Sequence, residues 1–496
     1  MKLRAFWLPV STSLLLSANA FSATTWTVTS TADTAGSCSS SCTLRAAINS
    51  AGDGDTIEFS GAIDGGTILL GSYSNAQTGT QFGPSAFFIN ANRSITIDGQ
   101  TGLARGITIA RDTTKAPFRL FDVNAGSGLS LIGLTLKNGL AQGFNSGSGG
   151  GALGAGGAIF NQGDLIIDSC TFVGNMAQGG ASGDGSGNTG GAGVGSAPTG
   201  SSGGGPNAPT PGHIDGGFGG GGDSYSCAGA GGFGGGGGAS PICSAGRGNG
   251  GFGGGGGKGI GGVGTGGFGA GAGSASSGGG GAGMGGAIFN DAGALNIVNS
   301  TFTANSASGG AGGSGAAAGT GLGGAIFNYS AVLTISASTL ARNVANDGGA
   351  LYSFDDRNCA VGGNTCPNGS ASTFDLELSI FSNSDATHDI VVDTGSPPAA
   401  GTFSDLIVMS RDTAQFTIAN FASSADPQLS PLGNHGGWTP TMVPKQGSIA
   451  IDAVSCTSGM VHNDQRGVAR PYPSSGQCDI GAVEYDGDYI FANGFD

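Results

Sequence analysis

One hexapeptide recurs through this chain and restricts its fold more than any other feature. Gly156-Gly157-Ala158-Ile159-Phe160-Asn161 returns as Gly285-Gly286-Ala287-Ile288-Phe289-Asn290 and as Gly323-Gly324-Ala325-Ile326-Phe327-Asn328. A looser copy is Gly348-Gly349-Ala350-Leu351-Tyr352-Ser353. Each strict copy is followed by an alternating apolar run, Leu165 to Phe172, Leu295 to Phe302 and Leu333 to Leu340, closed by Asn175, Asn305 and Asn343. The spacing is 38 residues from Phe289 to Phe327 and 25 from Phe327 to Tyr352. Periods of this size belong to solenoids. Short alternating runs broken by Gly, Asn or Ser read as strands and not helices. One such repeat cannot bury its own apolar face, but stacked repeats turn the alternate Ile, Leu and Phe into a continuous interior. Asn161, Asn290 and Asn328, each at a corner after Phe, are expected to stack as an amide ladder. The fold class expected is all-β, a right-handed parallel β-helix with N- and C-terminal caps. A β-sandwich would explain short strands but not the repeated hexapeptide.

Similar grammar upstream (Ile95–Gly99, Gly106–Ile109, Leu129–Leu136) and downstream (Phe374–Phe381, Ser404–Val408) extends the solenoid over residues 63–425. Residues 21–62 suit an N-terminal cap, with a strand at Trp26–Ser30 and helical composition at Cys42–Ile48 led by Thr43 as N-cap. Gly54–Phe59 then opens the first repeat. The chain has 106 glycines among 496 residues, yet only 17 prolines and no strict three-residue period, which excludes collagen. Formal charge is −15 with 17 Lys plus Arg and no basic cluster, so no nucleic-acid partner is expected.

Residues 1–20 read as a secretory signal: Lys2 and Arg4, an apolar stretch to Leu16, then Ser17-Ala18-Asn19-Ala20 with small residues before a cut after Ala20. No later stretch is apolar for long enough to cross a bilayer as a helix. The protein is therefore expected to be secreted or displayed at the cell surface. Nine cysteines fit an oxidising destination. They fall into the close couples Cys38/Cys42, Cys227/Cys243, Cys359/Cys366 and Cys456/Cys478, expected to staple short loops, with Cys170 alone in an apolar strand as buried packing.

The stretch around Cys42-Thr43-Leu44-Arg45-Ala46-Ala47 resembles the N-terminal domain of bacterial surface β-helix proteins named for a Cys-Ser-Leu-Arg-Glu-Ala motif, departing from it at Ala46. The C-terminal run is closer. Asp426-Pro427, Ser430-Pro431-Leu432, Asn434-His435-Gly436-Gly437 and Gly447–Ala453 are followed by Asp464-Gln465-Arg466-Gly467, Arg470-Pro471 and Cys478–Tyr485. Residues 426–485 thus resemble the choice-of-anchor domain of those proteins. The resemblance implies a secreted or surface-displayed β-helix with no established catalysis. Residues 486–496 look like a short terminal motif of exported bacterial proteins.

Chemistry is sparse. Asp355-Asp356, followed by Arg357, is the only adjacent acidic pair, and neighbouring strand residues point to opposite faces. His213, His388, His435 and His462 are scattered, none at metal-ligand spacing. Asp452, Asp464, Arg466, Arg470 and Glu484 are expected to form an ion-pair network closing the last repeat. No catalytic, cofactor-binding or metal residue is assigned and no cofactor is expected. The partner stays open between a cell-surface glycan and a protein. An adhesin-like structural or binding module is the first functional reading; a polysaccharide lyase or hydrolase with a groove along the helix is the alternative.

Roughly half of the insertion 179–284 is glycine, and Gly-Gly-Phe-Gly recurs around Phe218, Phe233, Phe252 and Phe268. Glycine-rich chain has high unfolded-state entropy and little to bury, which predicts a mobile loop. The competing expectations are phenylalanines that bind a partner, and a segment packed as polyproline-II-like strands.

Overall fold

The computed structural model describes residues 23–38, 41–73, 82–90, 92–185, 187, 189–205, 215–224, 228–240, 248–259, 262–355, 372–394, 400–412, 417–456, 461–472 and 476–487. The signal-like residues 1–20, Cys227, Cys243, Cys359, Cys366, Asp356, Arg357, His213 and the tail 488–496 lie outside them.

The chain is nearly all β, with large parallel sheets. Its regular strands fall into three main columns. The first holds Thr25–Val28, Thr56–Phe59, Ser94–Asp98, Gly128–Ile132, Asp164–Asp168, Ala294–Val298 and Val332–Ser336, ending on the first half of Thr373–Ser382. The second holds Thr67–Leu70, Ile107–Arg111, Leu134–Lys137, Thr171–Val173, Thr301–Thr303 and Thr339–Ala341, ending on the second half of that long strand. The third is a 7-stranded sheet from Ser85–Ile89 to Ile390–Thr394, and it contains every copy of the hexapeptide's Ile-Phe-Asn. Pairing is parallel and in register: Ile159, Phe160 and Asn161 lie opposite Ile288, Phe289 and Asn290, which lie opposite Ile326, Phe327 and Asn328.

The corners are made by single residues in the left-handed region. Between the first and second columns stand Gly133, Ser169, Asn299, Ala337, Leu378 and Asp405, with φ from 46° to 60°. Before the third column stand Gly156, Gly285, Gly323 and Gly348, with φ of 60–66°. Glycine adopts this conformation at no steric cost, which explains the first Gly of each hexapeptide. Most of the non-glycine corners carry a strain that the flanking in-register ladders must offset.

Inside, Ile57, Ile97, Leu131, Ile167, Ile297 and Ile335 form one fully buried stack. Asn161 Nδ2 donates to Asn290 Oδ1 (2.7 Å) and Asn290 Nδ2 to Asn328 Oδ1 (2.8 Å). A second buried amide ladder links Asn175, Asn305 and Asn343 at 2.9 and 3.0 Å. At the N-terminal end, Thr43 Oγ1 accepts from Ala46 N and starts the helix Leu44–Ser50, whose Leu44, Ala47 and Ile48 join the main core.

The mobile-loop expectation for the glycine-rich insertion does not hold for its described residues, which are packed and hydrogen-bonded. Gly255 N donates to Gly151 O, Gly256 N to Gly271 O and Gly257 N to Gly248 O, and Lys258 N returns to the first neighbour at Ser148 O. Amides aimed at three neighbours in rotation mark the three-residue turn of polyproline II. Each Gly-Gly-Phe-Gly is a type II turn: Gly217 O, Gly232 O, Gly251 O and Gly267 O accept from the residue three further on, and the glycine after each Phe has φ of 71–77°. The strands approach so closely that a Cβ on Gly191 would stand 1.8 Å from Gly236 O, and one on Gly150 1.8 Å from Gly255 O.

Apolar burial comes from the turn phenylalanines. Phe218, Phe233, Phe252 and Phe268 stack at 5.2, 5.0 and 5.6 Å. They pack on the outward aromatic row of the third column, where Phe160, Phe289, Phe327 and Tyr352 stack at 5.2–5.5 Å. A second apolar core thus lies outside the first, and the ordering cost of glycine is offset by dense hydrogen bonding and this aromatic slab.

Gly236→Ala is expected to lower unfolding stability by about 1–3 kcal/mol through overpacking, whereas Gly36→Ala, with nothing within 4 Å of its Cβ, stays near neutral; denaturant melts of both check this. Hydrogen exchange should find the amides of Gly234–Gly238 protected, and fast exchange there would rule out the packed bundle.

Candidate functional site

The three columns present different outward faces. That of the third lies under the glycine-rich bundle. That of the first is exposed to half-buried over most of its length, with Thr56, Thr96, Ser130, Ile166, Asn296, Thr334, Asp375 and Thr402 in one row. Ile166 is 45% and Val332 48% exposed on this face. The parallel row Glu58, Asp98, Ile132, Asp168, Val298, Ser336 and Glu377 adds carboxylates. Burial raises Asp168, and burial with the charges of Asp375 and Asp405 raises Glu377.

The second face carries the described residues of the stretch 429–485, and here the expectation of a terminal cap is corrected. The segment runs lengthwise over the sheet instead of closing its end. Gly481 N donates to Leu378 O, and Ala482 N to Thr339 Oγ1. Gln465 Oε1 accepts from Thr301 Oγ1, while its Nε2 donates to Thr171 Oγ1 and Cys170 O. Pro440 O accepts from Thr171 Oγ1, and Trp438 Nε1 reaches back to Leu103 O. The outward threonines supply side-chain hydrogen-bond partners along the sheet face, which an end cap would lack.

The charged residues of this segment form two buried pairs that shape the strap. Arg466 holds Asp464 at 2.8 Å and Asp486 at 3.0 Å. Arg470 holds Glu484 at 2.7 Å and donates to Asp479 O and Gly481 O. Asp452 meets the network through its backbone N–H, which donates to Asp479 Oδ1. Burial pushes Glu484 up to about 7, with Arg470 opposing, and Asp479 up to about 6. Fully solvent-shielded Arg pairs of this kind hold geometry, and their loss leaves an uncompensated charge.

Two of the four cysteine couples lie among the described residues as disulfides, Cys38–Cys42 and Cys456–Cys478. Cys170 is free and buried, its thiol pushed up to about 12 by burial.

One group of titratable side chains escapes sequence inspection. Asp347 Oδ1 lies 2.9 Å from His388 Nδ1, and the charges of Asp393, Asp347 and Asp412 act with burial to raise the Tyr352 hydroxyl. These residues are scattered in sequence and come into one neighbourhood through in-register pairing, which sets Phe354 opposite Asp393 and Leu351 opposite Ile390. Asp355 is buried on the same strand. His435 sits in a turn, its Nε2 3.4 Å from Ser430 Oγ, and His462 O accepts from Arg470 N. No group of three or more His, Cys, Asp or Glu placed to hold a metal occurs among the described residues, and no helix among them is long and apolar enough to cross a membrane.

No protein-family model, curated protein or solved structure matches the chain.

Glu484, Asp479 and the buried Asp122 (about 6, raised by burial) all bind a proton more tightly folded than unfolded. Stability is therefore expected to fall as pH rises from about 4 through 7; thermal melts should give a higher midpoint at pH 5 than at pH 8, with the difference reduced in Glu484→Gln. Cys170 should resist thiol reagents until the protein is unfolded, as read by absorbance of the released chromophore.

Proposed function

We propose that the protein is an exported right-handed parallel β-helix of the choice-of-anchor type, working as a secreted or cell-surface structural and binding module of adhesin-like character. The β-helix reading is supported by three parallel, in-register columns joined at single-residue corners, repeat after repeat. Export is supported by the signal-like N-terminus and by two disulfides, which persist in oxidising compartments. The choice-of-anchor reading rests on the residue run from Asp426 to Tyr485.

The observation that carries a binding role is the open face of the first column. Its row from Thr56 to Thr402 crosses eight parallel strands. At about 4.8 Å per strand this face is roughly 34 Å long. Bearing hydroxyl, amide, carboxylate and aliphatic groups in rows, it suits an extended ligand such as a cell-surface glycan or protein. The third face lies under the glycine-rich bundle, and the C-terminal strap covers part of the second.

A second reading, a carbohydrate-active enzyme, draws on one observation: the Asp347–His388 pair beside Tyr352, which could supply a base and an acid to a sugar. Incubation of the purified protein with pectic, alginate and glycosaminoglycan polymers separates the readings. Retention without new reducing or unsaturated ends is expected, and Ile166→Arg with Asn296→Arg should weaken it at least tenfold without lowering the melting midpoint. Release of new ends that disappears in His388→Ala would establish the enzyme instead.

A further inference from the structure

The outward threonine row of the second column is longer than the strap that covers it. Thr67, Thr108, Thr135, Thr171, Thr301 and Thr339 stand opposite one another on six successive strands. Three of them are engaged by the chain: Thr171 by Pro440 O and Gln465, Thr301 by Gln465, and Thr339 by the amide of Ala482. The side chains of Thr67, Thr108 and Thr135 have no hydrogen-bond partner among the described residues. They line a cleft of about 380 Å³ that continues the strap's path beyond Pro440. That volume falls at the lower end of the range for small-ligand clefts.

The cleft walls say what would fit. Leu69, which is 52% exposed, and Val173 rise from the sheet, and Leu432 and Pro440 close the strap side. No aromatic ring lines it among the described residues, so the usual stacking platform for a sugar is missing. Lys137 is its only charged lining residue, exposed and without an ion pair among the described residues. Further along the same row, the groups that meet these hydroxyls are backbone carbonyl, backbone amide and side-chain amide.

We propose that this cleft binds an extended polypeptide segment of a partner protein, one with aliphatic side chains and a carboxylate. Its main-chain carbonyls accept from the Thr67, Thr108 and Thr135 hydroxyls, as Pro440 O does from Thr171. Its aliphatic side chains fill the space between Leu69 and Leu432, and its carboxylate pairs with Lys137. The interface extends the strap's own contact with the sheet and leaves the first-column face untouched, so either site can fail alone.

The test is selection of a phage-displayed random peptide library on the whole protein, followed by calorimetric titration of the enriched peptides, with a glycan array run in parallel. Enrichment of aliphatic peptides bearing Asp or Glu is expected. Lys137→Glu should weaken them at least tenfold, and raised salt should weaken wild-type binding. Thr108→Arg, which fills the cleft, should abolish binding. Leu69→Asp, on a half-exposed side chain outside the core, serves the same purpose should Thr108→Arg fail to fold. Absence of enrichment, peptide affinity indifferent to Lys137→Glu and Leu69→Asp, or glycans that bind through these residues while peptides do not, would each overturn the proposal.

Discussion

Parallel pairing without register shift is the constraint on which everything else rests. It sets each residue above its equivalent in the preceding repeat, so one side-chain choice is multiplied into a column. Ile over Ile and Leu over Leu make the interior, and Asn161 over Asn290 over Asn328 makes a buried amide ladder in which each member satisfies the next. A slip of one residue would turn every apolar column outward and every polar one inward. The corners follow from the same rule, since a left-handed residue is needed at the same place in each repeat.

Outward columns do the organising work that a globular protein leaves to tertiary packing between helices. The row of Phe160, Phe289, Phe327 and Tyr352 gives the glycine-rich bundle a place to dock, and the threonine row gives the C-terminal strap one. At the head of the aromatic row, buried Arg119 lies over Phe160 and Phe82 and pairs with Asp122 at 3.9 Å. An unpaired charge would be costly there, so each partner requires the other.

The glycine-rich bundle has hydrogen bonds where most domains have side chains. Without Cβ atoms its strands pack backbone on backbone, and amides rotate among three neighbours. Four turn phenylalanines supply most of its large apolar surface, each placed by a glycine that alone takes the third turn position comfortably. Low side-chain content therefore does not by itself mean disorder.

The repeat, its parallel stacking, the Asn corners and the buried lone Cys170 were all legible in the sequence, because the repeated hexapeptide and alternating apolar runs are local patterns with one good solution. The order of the glycine-rich segment was not, since a Gly-Gly-Phe-Gly repeat looks the same whether or not an aromatic row exists to receive it. Nor was the path of the described residues between 429 and 485. Arg466, Arg470, Asp464 and Glu484 announce a charged network in sequence, but Gln465 lies along the sheet only because Thr171 and Thr301, 130 residues apart in the chain, stand on adjacent strands. The meeting of Asp347, His388 and Tyr352, and the free stretch of threonines beside Lys137, belong to the same class. Sequence alone determined what each repeat buries; only the tertiary structure decided what covers the outward columns, because that depends on register between segments far apart in the chain.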